Sequence, residues 1–366
     1  YITNMKKVLI IGPFPDPISG VSIANKVVRD VLKSEPNFSV SSIDTSYPVF
    51  DEEVGGFSIK KMFFYLRINT SLIKIFKNKI IYITPGQTFF GVLKYAVFIL
   101  FASLLNKQLI IHIHGNYLGK EYQNLKGIKK YIFKGLLNKT SKGIVLSESL
   151  TENMSPFIKD EHIHVLYNFV ENHLFVDHKD INIKLKNPTP QIIFLSNLME
   201  EKGIFELLEA LKILESEGFA YKAKIAGNID AKHVRKLEQL FKSLKHVEYV
   251  GVVSGNKKKA LLLWGNIFIL PTYYEMEGQP IAILEAMATA NVVLTTNHAG
   301  IPDIFKEAVN GFYVDKKSPY DIASKIKMTT LNTTLTDKMR VENYLRAKRN
   351  YRVDNFIENL MNIFKV

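Results

Sequence analysis

The chain has 366 residues, of which 47% are hydrophobic and 23% charged, and its formal net charge is +13. A chain of this length and apolar content exceeds one ordinary hydrophobic core, so we expect two domains. The absence of cysteine excludes a disulfide framework and a thiolate metal site.

Short β-branched runs alternate with helical patterns along the chain, a pattern typical of βα units on parallel sheets. In the first half, strands are predicted at residues 8–11, 38–43, 80–83, 109–113, 143–146 and 164–167. In the second half, strands are predicted at residues 192–195, 222–225, 247–250, 267–270, 292–294 and 311–314. We therefore predict an α/β fold with two doubly wound, Rossmann-like domains facing each other across a cleft, which is the expected active site.

A polar stretch rich in Lys, Asn and Pro, residues 177–190, separates the two series of strands. We place the domains at residues 1–172 and 173–350. The tail is predicted to be helical with a break near Tyr351, so that a last helix, 351–366, could cross back to the first domain.

The first predicted strand is followed by a loop rich in glycine and proline, Gly12–Gly20, and then by a helix over residues 21–32. Gly20 would let backbone amides approach a ligand at the start of this helix. The loop lacks the G-x-G-x-x-G pattern, which disfavours a nicotinamide dinucleotide. On its own the loop is weak evidence, because any first βα turn is rich in glycine.

The positive charge is concentrated in residues 54–147, which contain fifteen Lys or Arg and one acidic residue, Glu121. Aromatic and aliphatic residues accompany the lysines, as in Lys60–Tyr65. The longest apolar run, residues 96–105, has only ten residues, whereas about 20 are needed to cross a bilayer. The segment could bind an anionic membrane surface, form solvated faces of core helices, or bind nucleic acid, for which no helix-turn-helix, zinc-finger or RNP-like motif is present.

The fourth predicted strand runs into the sequence His112-Ile113-His114-Gly115-Asn116. We expect strand alternation to send the two imidazoles to opposite faces, so that one packs and His114 faces the cleft. The alternative is that His114 has only a structural role, as a single histidine at a strand end more often does.

The second domain begins with the strand 192–195, which is followed by Asn197, Lys202 and Gly203 and by a helix that ends at Leu214. A lysine at a helix start opposes the helix dipole unless an anion is bound, so Lys202 indicates a phosphate site. The alternative is a lysine side chain that points into water.

The strongest signal is a pair of glutamates eight residues apart, Glu277 and Glu285, which follow the predicted strand 267–270. Pro280 fits the first position of a helix. The free amides of residues 278–281 and the positive end of the helix dipole would hold phosphate oxygens. One carboxylate would then accept hydrogen bonds from a sugar and the other from a ribose. The alternative is a solvated loop acid and a half-buried helix acid.

Other site classes lack their motifs. The chain contains no D-x-D, H-x-x-x-H or H-E-x-x-H pattern, so a tightly bound divalent metal is not indicated. It contains no G-x-S-x-G motif, which disfavours an α/β-hydrolase. The first residues do not resemble a signal peptide, so we expect a cytoplasmic location.

These motifs resemble family 4 of the glycosyltransferases, which are retaining, nucleotide-sugar-dependent enzymes with the two-Rossmann GT-B fold. The E-x7-E element from Glu277 to Glu285, in the context E-G-Q-P-I-A-I-L-E-A-M-A, carries most of the likeness. Met199–Gly203 resembles the E-K-G phosphate element of the family. Further similar segments are Ser147–Ser149, Tyr167–Asn168 and Asn291–Asp303.

The resemblance implies a role for each matching residue. The implied catalytic residues are Glu277, Lys202 and His114. The implied donor-binding residues are Glu285, Gly278, Gln279, Pro280, Ile281, Asn197, Gly20 and Ser19. The residues implied to line an acceptor or sugar pocket are His112, Gly115, Asn116 and Asn168.

The chain departs from the family pattern where a G-R-L element is usual, because it has Ser196-Asn197-Leu198 instead. Half of the expected cationic clamp on the diphosphate is therefore missing, and Lys202 would act alone. Ser19-Gly20 stands in place of a Gly-Gly pair, and Ala290 in place of a glycine.

The resemblance implies transfer of a sugar from a nucleoside-diphosphate sugar to a hydroxyl of a glycan acceptor, with retention of configuration and no metal or other cofactor. We expect a UDP-sugar, with a GDP-sugar as the alternative donor, and a polyprenyl-diphosphate-linked acceptor used in bacterial surface polysaccharide or glycoconjugate assembly. Residues 54–147 would dock on the inner face of the membrane, and no nucleic acid is expected. The alternatives are a non-hydrolysing sugar-nucleotide epimerase and a non-catalytic two-domain sugar-binding protein.

Overall fold

The computed structural model describes residues 5–16, 19–46, 69–185 and 189–365. The chain divides into two units. Unit 1 consists of Tyr1–Asn168, Met276–Gln279 and Ile357–Val366, and unit 2 consists of Phe169–Glu275 and Pro280–Phe356. Each unit contains one six-stranded sheet. The predicted Lys60–Tyr65 motif lies outside the described residues.

The sheet of unit 1 has the strand order β2-β1-β3-β4-β5-β6, and all neighbouring strands are parallel. Its strands are β1 (Lys6–Gly12), β2 (Phe38–Asp44), β3 (Ile80–Ile83), β4 (Gln108–Ile113), β5 (Lys142–Val145) and β6 (Ile163–Val165). The central strands are buried on both faces, as parallel strands between two helix layers must be. All six strands predicted for this half of the chain are confirmed.

Helices of unit 1 cover this sheet and enclose its core. Within the described residues up to Asn168 they are α1 (Gly20–Ser34), α2 (Ile73–Lys77), α3 (Phe89–Leu93), α4 (Ala96–Leu104), α5 (Leu118–Asn124) and α6 (Gly127–Leu137). Phe98 of α4 and Phe133 of α6 are almost fully buried against strand residues such as Ile81 and Ile111. The described residues contain no helix long and apolar enough to cross a membrane.

The sheet of unit 2 is also fully parallel, with the order β12-β11-β10-β7-β8-β9. Its strands are β7 (Gln191–Leu195), β8 (Lys222–Ala226), β9 (Val247–Gly251), β10 (Ile267–Leu270), β11 (Val292–Thr295) and β12 (Gly311–Tyr313). The helices of this unit that precede the C-terminal tail are α7 (His178–Leu185), α8 (Ile204–Ser216), α9 (Val234–Ser243), α10 (Gly255–Trp264), α11 (Ile281–Ala288) and α12 (Ile301–Ile304). The tail forms α13 (Pro319–Leu331), α14 (Thr333–Asn350) and α15 (Val353–Lys365). The six predicted strands and the break near Tyr351 are confirmed.

The strand orders fix where ligands are expected. In each sheet the chain first moves outward from β1 or β7 and then returns to the other side of the same strand, which creates a switch point. In unit 1 the switch point lies between β1 and β3, and in unit 2 it lies between β7 and β10. Loops at the carboxyl ends of these strands are therefore the expected ligand-binding segments.

Candidate functional site

The loop after β1 is fixed by side chains that fill the space next to Gly12. A Cβ on Gly12 would lie 2.0 Å from Thr84 Oγ1, so only glycine fits. Asn25 Nδ2 donates to Thr84 Oγ1 at 2.8 Å and to the carbonyl of Pro13 at 2.9 Å. These bonds join the carboxyl ends of β1 and β3 at the switch point of unit 1.

Ser19 and Gly20 lie at the amino end of α1, and both are exposed. Ser19 forms a capping box with Ser22, in which each hydroxyl accepts a hydrogen bond from the other residue's backbone N–H, at 3.1 and 2.8 Å. Gly20 is the first residue of the helix. The Ser19 hydroxyl therefore stabilises the helix start, and a donor-binding role for either residue stays a prediction.

His112 and His114 lie on the same side of the β4 segment, so the expectation that alternation would separate them is wrong. Residues two apart in an extended chain share a face. Their ring centroids are 4.0 Å apart. His112 is completely buried, and its Nδ1 is 2.5 Å from the hydroxyl of Tyr82, which lies on β3.

Both histidines are neutral at pH 7. Burial lowers the pKa of His114 to about 3. Burial, together with the neighbouring His114 ring, lowers the pKa of His112 well below its ordinary value. The Nε2 atoms of both rings are buried and have no hydrogen-bond partner among the described residues. His114 is the less buried of the two, and a neutral imidazole at this position can exchange hydrogen bonds with a ligand hydroxyl.

The segment Met276–Gln279, which carries Glu277, packs within unit 1 against the end of β4. A Cβ on Gly278 would lie 2.9 Å from the carbonyl oxygen of His114 and 3.0 Å from Cα of Gly115. A Cβ on Gly115 would lie 2.5 Å from the carbonyl oxygen of Met276. The two backbones can approach this closely only because both positions are glycine.

Polar bonds hold the same segment in place. Gln279 Oε1 accepts from the backbone N–H of Asn168 at 2.7 Å, and Asn168 Nδ2 donates to the carbonyl of Gln279 at 2.8 Å. Gln279 Nε2 donates to the carbonyl of Leu146 at 3.0 Å. Gln87 Nε2 donates to the carbonyl of Met276 at 3.2 Å. The segment is thus tied to unit 1 at both of its ends.

Several predicted residues therefore meet in unit 1, although they are far apart in the chain. Those joined by the contacts above are His112, His114, Gly115, Asn168, Gly278 and Gln279. Glu277 lies in the middle of the anchored segment, and the residue is only 7% exposed. Asn116 instead accepts a hydrogen bond from Asn153 Nδ2 at 3.2 Å. Sequence reasoning missed Gln87, whose role depends on contacts that no local pattern encodes.

In unit 2, Lys202 and Gly203 lie beside the loop that follows β10. Gly203 has φ +78°, and a Cβ there would lie 2.5 Å from the carbonyl oxygen of Pro271. The backbone N–H of Tyr273 donates to the carbonyl of Glu201 at 2.8 Å. The E-K-G element is therefore fixed at the switch point of unit 2.

Lys202 directly precedes Gly203 and α8, and its ammonium lies 5.0 Å from the ring centroid of Tyr274. This contact holds a cation near the amino end of a helix, where an anion would be stabilised by both the lysine and the helix dipole. Asn197, the predicted donor-binding residue after β7, is exposed.

Glu285 lies on α11 and is 5% exposed. Its Oε1 accepts a hydrogen bond from Lys258 of α10 at 2.5 Å. Burial raises the pKa of Glu285, and Lys258 opposes that rise. Sequence reasoning missed Lys258, because it is the middle residue of a Lys-Lys-Lys run whose neighbours gave no sign of which lysine would be buried.

The four residues predicted to seat phosphate are divided between the units. Gly278 and Gln279 group with unit 1, whereas Pro280 and Ile281 group with unit 2. Pro280 is the N-cap of α11, so the helix begins at Ile281, one residue later than predicted. The phosphate-binding role of these residues stays a prediction.

Comparison with known proteins finds matches mainly in the second half of the chain. Residues 177–346 match the family described as Glycosyl transferases group 1. The chain is 30% identical over 145 residues to the amylovoran biosynthesis glycosyltransferase AmsK of Erwinia amylovora, covering 37% of this chain and 36% of that protein. It is 27% identical over 150 residues to an N,N'-diacetylbacillosaminyl-diphospho-undecaprenol alpha-1,3-N-acetylgalactosaminyltransferase of Campylobacter jejuni, covering 41% of this chain and 37% of that one. The chain thus spans less than half the length of these relatives.

The fold is shared along nearly the whole chain with a solved structure. The structure of HepE from Anabaena in complex with UDP and glucose has a TM-score of 0.74 and 16% sequence identity, and covers 98% of this chain and 99% of that one. This match confirms the predicted GT-B fold class and, at this identity, supports the fold alone.

Proposed function

We propose that this chain, whose residues 177–346 match the group 1 glycosyl transferase family, is a retaining glycosyltransferase of that family. It would move a sugar from a nucleoside-diphosphate sugar to a hydroxyl of a glycan acceptor. The acceptor would be lipid-linked, and the product would be an intermediate of a bacterial surface polysaccharide or glycoconjugate. The family proposal is supported by the sequence match of residues 177–346, and the donor, acceptor and residue roles are proposed with it.

The observation that carries the proposal is the anchored Glu277 segment of unit 1. Gly278 and Gly115 allow this segment to approach the end of β4, so that Glu277 and His114 belong to the same packed region. A buried carboxylate and a neutral imidazole in one region suit the recognition of sugar hydroxyls, which both donate and accept hydrogen bonds. A solvated loop acid, the alternative interpretation of Glu277, would not be 7% exposed.

In the proposed reaction, the bond between the anomeric carbon of the donor and the diphosphate oxygen breaks. The acceptor oxygen forms a new bond to the same face of the anomeric carbon, and its proton passes to the departing diphosphate. The products are a nucleoside diphosphate and a glycoside of unchanged anomeric configuration. Lys202 and the amides at the start of α11 would stabilise the negative charge on the leaving group.

A UDP-sugar is the favoured donor, with a GDP-sugar as the alternative. Support comes from the shared fold with HepE, whose structures contain UDP with glucose and UDP-glucose. In this proposal Glu285 accepts hydrogen bonds from the ribose, and Glu277 lies at the donor sugar.

A polyprenyl-diphosphate-linked acceptor is supported by the Campylobacter jejuni relative, whose name gives a diphospho-undecaprenol acceptor. Such an acceptor is held in a membrane, so the protein would work at the membrane surface, peripherally and on the cytoplasmic side. The basic segment 54–147 would provide the docking surface. We propose no nucleic-acid partner.

The proposal is tested first by ligand binding. Purified protein would be heated with UDP, GDP, UDP-sugars and GDP-sugars, and the shift in melting temperature measured. A ligand present at about 100 times its dissociation constant should stabilise the protein by about 2.7 kcal/mol. No shift with any of these nucleotides would contradict the proposal.

The second test is turnover by a Glu277→Gln variant. We expect kcat to fall about a hundredfold or more, because a buried charged group beside the reacting sugar is lost. Glu275→Gln, which changes an exposed carboxylate two residues away, should retain activity. Product NMR would give the anomeric configuration. Inversion of configuration, or a new nucleotide sugar formed without any acceptor, as an epimerase would produce, would overturn the assignment.

A further inference from the structure

Lys258 and Glu285 form a buried ion pair within unit 2. The side chains are only 11% and 6% exposed, and Lys258 Nζ is 2.5 Å from Glu285 Oε1. A second carboxylate, Glu171, lies 3.6 Å from the same ammonium but is 40% exposed. Lys258 therefore pairs mainly with Glu285, and its ion pair with the partly hydrated Glu171 is weaker.

The charged groups that act on Glu285 are Lys258 and Glu171. Lys258 approaches from α10, and Glu171 lies just after the start of unit 2. Lys184 of α7 instead bonds the carbonyl of Thr289, one turn further along α11. Among the residues that the structure describes, Lys258 makes the direct hydrogen bond to the carboxylate. Burial raises the pKa of Glu285, Lys258 lowers it, and the carboxylate of Glu171 raises it slightly.

The pair leaves one carboxylate oxygen for a ligand. Oε1 is held by Lys258, whereas Oε2 accepts no hydrogen bond from the residues that the structure describes. A carboxylate fixed through one oxygen presents the other in a defined direction, which reduces the rotamer entropy that ligand binding would otherwise cost. Removing the lysine would leave a buried carboxylate without a partner, a state that proteins avoid by protonating the group.

We propose that Lys258 is a positioning residue for the nucleotide, which holds the Glu285 side chain oriented so that Oε2 accepts hydrogen bonds from the ribose hydroxyls. This inference rests on the proposed function, because it assigns the ribose of the donor to Glu285. Lys258 acts only through Glu285 and does not touch the nucleotide.

The test compares UDP with 2′,3′-dideoxy-UDP, which lacks both ribose hydroxyls. Dissociation constants would be measured by titration calorimetry for the wild type and for Lys258→Met, Lys258→Arg, Glu285→Gln and the double variant Lys258→Met/Glu285→Gln. Lys257→Met is the matched control, because it removes the same charge from an exposed position on the same helix. Melting temperatures would confirm that each variant is folded.

We expect Lys258→Met to weaken UDP binding about tenfold, the loss expected for a charge-assisted hydrogen-bond network. Binding of dideoxy-UDP should change less than about twofold, and the double variant should bind UDP no more weakly than Glu285→Gln alone. Lys258→Arg should recover most of the affinity. The affinity of Lys258→Met for UDP should also rise more with pH than that of the wild type, because loss of the lysine raises the pKa of Glu285 further.

The inference would be overturned if Lys258→Met bound UDP like the wild type, or if it lost the same factor for both nucleotides, as a merely structural lysine would. If Lys258→Met does not fold, the double variant Lys258→Met/Glu285→Gln, which lacks both charges, takes its place. Wild-type affinity for UDP in the folded double variant would also overturn the inference. Failure of the wild type to bind any nucleotide would instead remove the proposed function, and this inference with it.

Discussion

At the scale of single residues, the candidate site depends on two facing glycines. Gly115 follows the end of β4, and Gly278 follows Glu277. A side chain added at either glycine would collide with the backbone of the segment that carries the other. The close approach is what places the glutamate-bearing segment beside the strand end. A glycine required by packing, rather than by a left-handed conformation, is sensitive to the smallest substitution.

We predict that Gly278→Ala will lower kcat/KM about a hundredfold, because the new Cβ would lie 2.9 Å from the carbonyl oxygen of His114 and 3.0 Å from Leu146 Cδ1. The segment must shift to relieve these contacts, and a displacement of about 1 Å at a reacting group costs about this factor. Steady-state kinetics and melting temperatures would be compared with Gly135→Ala. Gly135 lies in α6 with open space around it.

The control should retain activity and gain up to about 1 kcal/mol of stability, because alanine is the better helix former. Full activity of Gly278→Ala would show that the position of this segment does not matter for turnover. Equal losses in the two variants would show that the assay does not report on this segment.

The residue scale also shows what the sequence could predict. The two strand-end histidines and the glycine between the glutamates were recognisable from their spacing. The relative orientation of His112 and His114 was predicted wrongly, since the strand period of two puts them on one face. The contact partners Gln87 and Lys258 could not be predicted, because each reaches its partner across 27 or more residues of chain.

At the scale of elements, the strands were the most predictable part of the molecule. Central strands of a parallel sheet are buried on both faces and appear in the sequence as continuous β-branched runs, such as Ile80–Ile83 and Ile267–Leu270. The short helices α2, α3 and α4 were less predictable. Residues 96–104 are apolar on nearly all sides, so the run alone carries little information about which side faces the core.

Unit 2 also contains a buried lysine that joins the ends of two helices, a contact that the sequence did not predict. Lys184 of α7 is 4% exposed, and its ammonium donates to the carbonyls of Leu262 and Thr289 and to Asn291 Oδ1, at 2.7, 2.5 and 3.1 Å. Leu262 lies in the last turn of α10, and Thr289 is the C-cap of α11. One buried cation therefore satisfies the carboxyl ends of two helices.

We predict that Lys184→Met will destabilise the protein by about 2 kcal/mol, because buried carbonyl groups lose their hydrogen-bond donor. Urea denaturation monitored by circular dichroism would measure the change. Lys179→Met, an exposed lysine on the same helix, should alter stability by less than about 0.5 kcal/mol. Similar midpoints for the two variants would mean that the connection contributes nothing measurable.

The pH dependence of stability gives an independent check on Lys184. Burial, and secondarily the charge of Arg340, lowers the pKa of Lys184 well below its ordinary value of 10.5. Between the folded and unfolded pKa values the unfolded chain binds more protons, so the stability of the wild type should rise with pH toward 10.5. This rise should be smaller in Lys184→Met.

At the scale of the whole molecule, the positive charge excess coincides with an unusual surface of unit 1. Helix α4 contacts α2 and α6, and these helices together with α3 expose large apolar side chains. We call this set the apolar-lysine face, and its apolar members are Ile73, Phe76, Phe90, Leu100, Phe101, Leu104, Ile128 and Tyr131. Lysines lie among them, and Lys129, for example, lies 5.8 Å from the ring centroid of Phe90.

This combination suits the surface of an anionic bilayer better than water alone. Apolar side chains can enter the boundary between headgroups and acyl chains, while lysines interact with anionic lipids. Solvated faces of core helices, the other interpretation of the charge excess, would explain the lysines but not eight exposed apolar side chains on four helices, among which Leu104 and Tyr131 are 76% and 77% exposed. A large exposed apolar patch generally marks an interaction site.

We therefore predict that the double variant Leu104→Glu/Tyr131→Glu will bind anionic vesicles at least about tenfold more weakly than the wild type. Each substitution removes apolar contact and adds a charge that anionic lipids repel. The measurement is co-sedimentation with vesicles that contain phosphatidylglycerol, and wild-type binding should weaken as salt is added. The matched control is Leu331→Glu/Tyr320→Glu, which changes unit 2 residues that are 85% and 77% exposed.

The control variant should bind vesicles as the wild type does, because its residues lie outside the apolar-lysine face. Both double variants should still transfer sugar to a water-soluble acceptor, since the substituted side chains lie outside the candidate site. A wild type that ignores anionic vesicles at low salt would remove membrane docking from the proposal while leaving the transfer reaction intact. Equal weakening of both double variants would assign the binding to exposed apolar surface in general, and the basic segment would then be a solvated surface.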